Sequence, residues 1–173
     1  MGKFISYSGS DIIFDECPAC DFNNHLFSLD CGMAYEDDLF TLAQDWELPI
    51  PGFLVASPKR HIEKFSELSN EERVKIFEVV DKCISILREN KVCENFNVIF
   101  EEKDGIHFHI WIMPRHDWMI REFGNPTKRI DEVFKYAKDN LRTKENLEYI
   151  NKVNDIVRNA MKSLNSDVKV LKK

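Results

Sequence analysis

Apolar and polar positions along this chain follow two rhythms, one of period two and one close to 3.6. The period of two is clearest from Ile106 to Met113, where His107, His109 and Trp111 alternate with Phe108, Ile110 and Ile112 before Pro114-Arg115. Successive strand side chains point to opposite faces, so this run predicts a strand with both imidazoles and the indole on one side and a wholly apolar other side. Asn95 to Phe100 predicts a second strand, joined to the first through a turn over Glu101 to Gly105. Phe53 to Ser57 reads as a further strand ending at Pro58-Lys59-Arg60-His61. Residues 11–16 and 34–46 carry shorter β-type runs, with Met33 to Leu42 read as one stretch. Pro49, Pro51 and Gly52 break the chain between them. The helical rhythm begins at Ser69-Asn70-Glu71-Glu72, a capping box. Val74, Ile76, Phe77, Val80, Cys83, Ile84 and Leu87 then mark one apolar stripe. After Pro126 the positions Ile130, Val133, Phe134, Ala137 and Leu141, then Leu147, Ile150, Val153, Ile156, Val157 and Met161, keep helical spacing. The pattern predicts an α+β fold: an antiparallel sheet, one long helix across it, and a C-terminal helical extension over residues 126–173 packed on or near the 1–125 domain.

With 173 residues and 43% hydrophobic content, the chain suffices for one well-cored domain. A net charge of −6 leaves no basic surplus for nucleic acid in bulk, although a nucleotide held by a few placed groups remains compatible with it. No apolar run approaches the length of a membrane span, and Met1 to Ser10 holds no hydrophobic signal core, so a soluble, cytoplasmic protein is expected. The five cysteines are odd in number and include Cys17-Pro-Ala-Cys20. In a reducing compartment such a pair reads as a metal clip or a redox couple, not as part of a disulfide framework.

The two histidines on one strand face are the candidate chemistry. Imidazole serves as nucleophile, acid/base or metal ligand near neutral pH, and few side chains combine these roles. His116-Asp117-Trp118 follows directly and reads either as a lining of the same cleft or, by preference, as a surface turn. Cys31, Cys83 and Cys93 read as ordinary buried residues.

Taken in order, Cys17-x-x-Cys20, the strand from Tyr35 to Asp45, Pro51-Gly52, Pro58-Lys59-Arg60-His61, the long helix, Asn97 and the His107/His109 strand ending in Pro114-Arg115 resemble the histidine triad (HIT) family of nucleotide hydrolases and transferases. The likeness covers about Cys17 to Arg115, over half the chain. Pro114-Arg115 sets the register: the first two triad histidines match His107 and His109, and Trp111 stands where the family has its third. The resemblance implies a nucleotidyl hydrolase or transferase that attacks the α-phosphate of a nucleoside polyphosphate, dinucleoside polyphosphate or nucleotide sugar. His109 would be the nucleophile and would form a covalent nucleotidyl-histidine. It further implies phosphate contacts from Asn97 and the backbone at Gly105 and Ile106, ribose contacts from Asp45, and a homodimer. It also implies a structural zinc on Cys17, Cys20, His61 and His107. Trp111 cannot change protonation near pH 7, which favours leaving groups that are already acidic. The competing reading is a nucleotide-binding sensor or scaffold with little turnover.

Overall fold

The strand that carries the histidines buries its apolar face completely, and the long helix and the neighbouring strands pack around that face. The structure, a computed structural model, describes residues 1–103 and 105–171, with side chains described through Lys162. Its strands are β1 (Gly2–Ile5), β2 (Asp11–Phe14), β3 (Met33–Glu36), β4 (Phe40–Gln44), β5 (Leu54–Pro58), β6 (Phe96–Lys103) and β7 (Ile106–Pro114). Its helices are α1 (Pro18–Asn23), α2 (Asn70–Glu89), α3 (Asp117–Phe123), α4 (Ile130–Asn140) and α5 (Lys144–Leu171). The strands β3 to β7 form an antiparallel sheet in the order β3-β4-β5-β7-β6, and β1 and β2 form a separate hairpin. The α+β architecture read from the sequence is the one observed.

On β7, Phe108, Ile110 and Ile112 are fully buried and meet Leu42, Leu54 and Ala56 of the neighbouring strands. The helix α2 lies across this face. Ile76, Val79, Val80, Cys83, Ile86 and Leu87 recur every three or four residues and form its buried stripe. Full burial of each such side chain contributes about 1.5–3 kcal/mol, so this layer accounts for most of the fold's apolar stabilisation. Val74 and Phe77, expected in the stripe, instead face outward at 62% and 50% exposure. They fall on the flank of the helix wheel, and Phe77 meets Phe65 and Phe100 at the sheet edge. Val153, Val157 and Met161 of α5 complete the same core, so α5 through Met161 packs against the sheet and the long helix.

The stretch from Met33 to Leu42, expected as one strand, divides into β3 and β4. Asp37 causes the break: its Oδ1 accepts the backbone N–H groups of Leu39 and Phe40 at 2.8 and 2.7 Å, an Asx turn that reverses the chain. The turn expected over Glu101 to Gly105 is tighter than its length suggested, because β6 runs on to Lys103, which pairs with Ile106. The segment 116–118, expected as a surface turn, opens α3 with His116 as its N-cap. The short elements β1 and α1 lack enough periodic positions to be read from sequence. Among the described residues no helix is long and apolar enough to cross a membrane.

The capping box at the start of α2 does more than begin a helix. Ser69 Oγ accepts from Glu72 N, and Glu72 accepts from Ser69 N at 2.7 Å. The same carboxylate receives a fork from Arg60, Nε to Oε1 at 2.7 Å and Nη2 to Oε2 at 2.8 Å, which pins the loop leading to His61. These contacts, Arg60 first, hold the Glu72 carboxyl down at about 2. A folded pKa below the unfolded one of about 4.3 stabilises at higher pH, and the contribution fades as pH falls from about 4.3 toward 2. Glu72→Gln is therefore expected to lower unfolding stability by about 1–3 kcal/mol at pH 7. In urea titrations the gap from wild type should narrow as pH approaches 2.

Candidate active site and metal centre

Each chemical group on the outer face of β7 is held by a neighbouring element. His107 is 2% exposed. Its Nε2 donates to the Pro58 carbonyl at the end of β5, at 2.7 Å, which leaves the lone pair on Nδ1. That nitrogen faces Cys17 Sγ at 3.7 Å and Cys20 Sγ at 3.6 Å, while His61 Nδ1 lies 3.4 Å from Cys20 Sγ. The ligand atoms of Cys17, Cys20, His61 and His107 all fall within 4.8 Å of one another. Burial lowers the His107 pKa to about 4, so the ring is neutral at pH 7, as a metal ligand must be. Burial, with Cys17 beside it, pushes the Cys20 thiol up to about 12. A divalent cation would reverse that preference, and two sulfurs with two imidazole nitrogens are the donor set that suits tetrahedral zinc. The four residues fit a closed zinc site with no ligand position left for substrate.

Two residues along the strand, His109 Nδ1 donates to the carbonyl oxygen of His107 at 2.9 Å. Its Nε2 lies 2.8 Å from Glu101 Oε2, and the other oxygen of Glu101 pairs with Lys103 at 2.7 Å. Glu101 stands there because β6 and β7 pair it in register with His109. Trp111 is the next outward residue. Its indole meets the His109 ring at 5.9 Å, and it packs edge-on against Phe53 at 5.8 Å and Phe134 of α4 at 5.6 Å.

These groups open onto a cleft of about 620 Å³. Asp45, Trp46 and Leu48 line one side, Lys103, Gly105 and Ile106 the hairpin side, and Phe134 and Lys138 of α4 another. The hairpin β1–β2 supplies Lys3, Phe4 and Phe14 as a further wall. Phe4 stacks on Trp46 at 5.6 Å and 13°, and Phe27 and Phe22 pack around the same indole, fastening the hairpin to the domain. Asp45 sits at the end of β4, in a loop tied down by Gln44 Nε2 donating to the carbonyls of Leu48 and Ile50. Gly52 closes that loop at φ +76°, where an added Cβ would meet Val92 and Leu87. Asp45 Oδ1 accepts from Glu47 N and Leu48 N at 3.0 and 2.9 Å. Burial outweighs these bonds and raises its carboxyl to about 6.

Of the residues singled out from sequence, the fold brings His107, His109, Trp111, Asp45, Gly105 and Ile106 to one cleft, with Cys17, Cys20 and His61 at its edge. Asn97 is the exception: it is not among the residues that line the cleft. It pairs with Met113, four residues from Glu101, or about 13 Å along the strand. Glu101 occupies the place opposite the second histidine instead. Sequence reading missed Glu101, since its position depends on the exact length of the hairpin turn. His116, read by preference as part of a surface turn, is partly buried instead: Nε2 donates to the Pro51 carbonyl at 2.8 Å, and burial lowers its pKa.

Comparison with known proteins agrees with this geometry. The HIT domain profile matches residues 28–118, more than half of the chain. An uncharacterized HIT-like protein of Methanocaldococcus jannaschii is 30% identical over 115 residues, spanning 61% of this chain and 88% of that protein. Among solved structures, a Zn-bound histidine triad family protein from Mycobacterium smegmatis superposes with a TM-score of 0.58 at 16% identity, over 87% of this chain and 96% of that one. A hypothetical histidine triad nucleotide-binding protein from Sulfolobus tokodaii gives 0.56 at 20% identity, over 86% and 93%. At such identities the two structures speak to fold, while the profile and the archaeal relative speak to descent. The chain belongs to the histidine triad (HIT) family.

Proposed function

We propose that this protein is a nucleotidyl hydrolase or transferase in which His109 attacks the α-phosphate of a nucleoside polyphosphate, dinucleoside polyphosphate or nucleotide sugar. The observation that carries the reading is the setting of His109. Its Nδ1 is committed to the His107 carbonyl, and Nε2, which faces Glu101 Oε2 at 2.8 Å, lies in the wall of a cleft roomy enough for a nucleotide. Attack from Nε2 forms a nucleotidyl-histidine and splits one hard displacement into two easier ones. In this reading Asp45 accepts from ribose hydroxyls and the backbone at Gly105 and Ile106 contacts phosphate oxygens, a reading supported by their common position on the cleft lining. Lys3, Lys103 and Lys138 add positive charge around the same opening. The alanine variant of His109 should lose turnover by at least about 10³-fold while keeping nucleotide affinity within a few fold, because a nucleophile stabilises the transition state far more than the ground state. Activity equal to wild type would remove the catalytic reading and leave a nucleotide sensor.

Zinc held by Cys17, Cys20, His61 and His107 is the second part of the proposal, in a structural role. The donor set is closed, and it would fix the residue whose carbonyl orients the nucleophile. Elemental analysis of protein purified without added metal is expected to give about one zinc per chain. Cys20→Ser should lower both metal content and melting temperature; metal-free protein of undiminished stability would refute the assignment.

The third part is a homodimer. β6 is the edge of the sheet, and Val98 and Phe100 on it are 40% and 41% exposed beside Phe77 and Val74 of α2. A second copy covering this patch would bury the apolar surface and the open strand edge together. Light scattering should give twice the chain mass for wild type and the monomer mass for Phe77→Asp. A monomeric wild type at micromolar concentration would exclude the interface.

A further inference from the structure

The loop that carries Asp45 into the cleft is gripped by its carbonyls. Gln44 Nε2 donates to those of Leu48 and Ile50 at 3.1 and 3.0 Å. The two between and after them are taken from the chain beyond β7: Asn146 Nδ2 donates to Pro49 at 2.8 Å, and His116 Nε2 to Pro51 at 2.8 Å. We infer that Asn146 and His116 are positioning residues, which act through the backbone of residues 48–51 to hold Asp45 where it meets the ribose of a nucleotide. The inference rests on the reading of Asp45 as the ribose contact.

The segment needs donors from outside. Pro49 and Pro51 have no N–H, so this stretch cannot continue the sheet ladder. Residues 48–53 are nevertheless buried, where a carbonyl without a donor is costly. Apolar packing brings the segments together, since Leu48, Ile50 and Phe53 share a core with Val133 and Ala137 of α4. Such packing is non-directional, and the hydrogen bonds are what fix the loop's register. Asn146 spans the junction, because its Nδ2 also donates to the Leu141 carbonyl at 2.8 Å, where α4 ends and α5 is about to begin.

The hold reaches Asp45 in one step. Leu48, the neighbour of Pro49, donates its N–H to Asp45 Oδ1 at 2.9 Å, and Asp45 N donates to the Phe53 carbonyl at 2.8 Å, two residues past Pro51. A displacement of Pro49 or Pro51 is therefore passed to the carboxylate. Neither Asn146 nor His116 lines the cleft, so their influence on a ligand is indirect. Lys138 of α4 also meets the loop, at Glu47 Oε1 and 3.1 Å, but both partners are well exposed and such a pair contributes little.

The test is isothermal titration of the protein as purified with AMP and with 2′,3′-dideoxy-AMP, which lacks both ribose hydroxyls. Wild type should prefer AMP by at least about tenfold, and Asp45→Asn should reduce the preference below about twofold. Asn146→Asp keeps the size and suits the first turn of α5, yet cannot donate to Pro49. His116→Leu removes the other donor; the His116 side chain makes no cap hydrogen bond to α3, so that helix loses none. Each variant should cut the preference at least about threefold, almost wholly through weaker AMP binding, while His116→Gln, which retains a donor, stays within about twofold of wild type. Partial misfolding lowers the number of sites titrated and leaves the ratio of the two Kd values intact. Equal weakening of both nucleotides, or an unchanged preference in Asn146→Asp and His116→Leu, would overturn the inference while Asp45 keeps its role. A preference absent from wild type, or retained by Asp45→Asn, would remove Asp45 as the ribose contact and the inference with it.

Discussion

A strand with two dissimilar faces is the constraint on which this protein is built. One face of β7 must disappear into the core, and Phe108, Ile110 and Ile112 do so completely. Burial at that level fixes the register, because a slip of one residue would send three apolar side chains to the cleft and two imidazoles into hydrocarbon. The cleft face inherits that precision. His107 and His109 are positioned because their strand neighbours cannot move, and the hydrogen bonds to Pro58 and to the His107 carbonyl then set the rotation of each ring.

His107 joins the two halves of the site. Its ring looks toward Cys17, Cys20 and His61, and its backbone carbonyl looks toward His109. The Cys/His donor cluster and the His109 ring are thus linked through one residue without sharing an atom. The link has a direction: moving His107 would tilt the His109 ring, whereas loss of the His109 ring leaves all four sulfur and nitrogen donors in place.

Much of this was legible in the chain, for physical reasons that also mark where legibility ends. The alternation in β7 and the capping box of α2 are local signals, and local signals survive folding. The Cys/His set was recognisable only through resemblance, because three segments remote in sequence contribute to it. Pairing across strands is another matter. Nothing in Asn95 to Gly105 states how many residues the turn uses, so Asn97 was expected where Glu101 stands. Asp37 reversed a run that hydrophobicity alone read as continuous, through two hydrogen bonds from one carboxylate oxygen. The four-residue strand β1 holds too few alternations to register, and aromatic packing of Phe4 on Trp46 secures what its own length does not.

The wall formed by β1 and β2 has a consequence for how the chain matures. Cys17 and its partner His107 are separated by 90 residues, and Cys20 and His107 by 87. A ribosome delivers the hairpin and the Cys-x-x-Cys turn long before the strand that receives them, and closing so long a loop has to await the intervening sheet. During synthesis the amino-terminal aromatic residues and both thiols therefore spend an interval without their final neighbours. The cleft has all its walls only once the β1–β2 hairpin, the β6–β7 hairpin and α4 have come together.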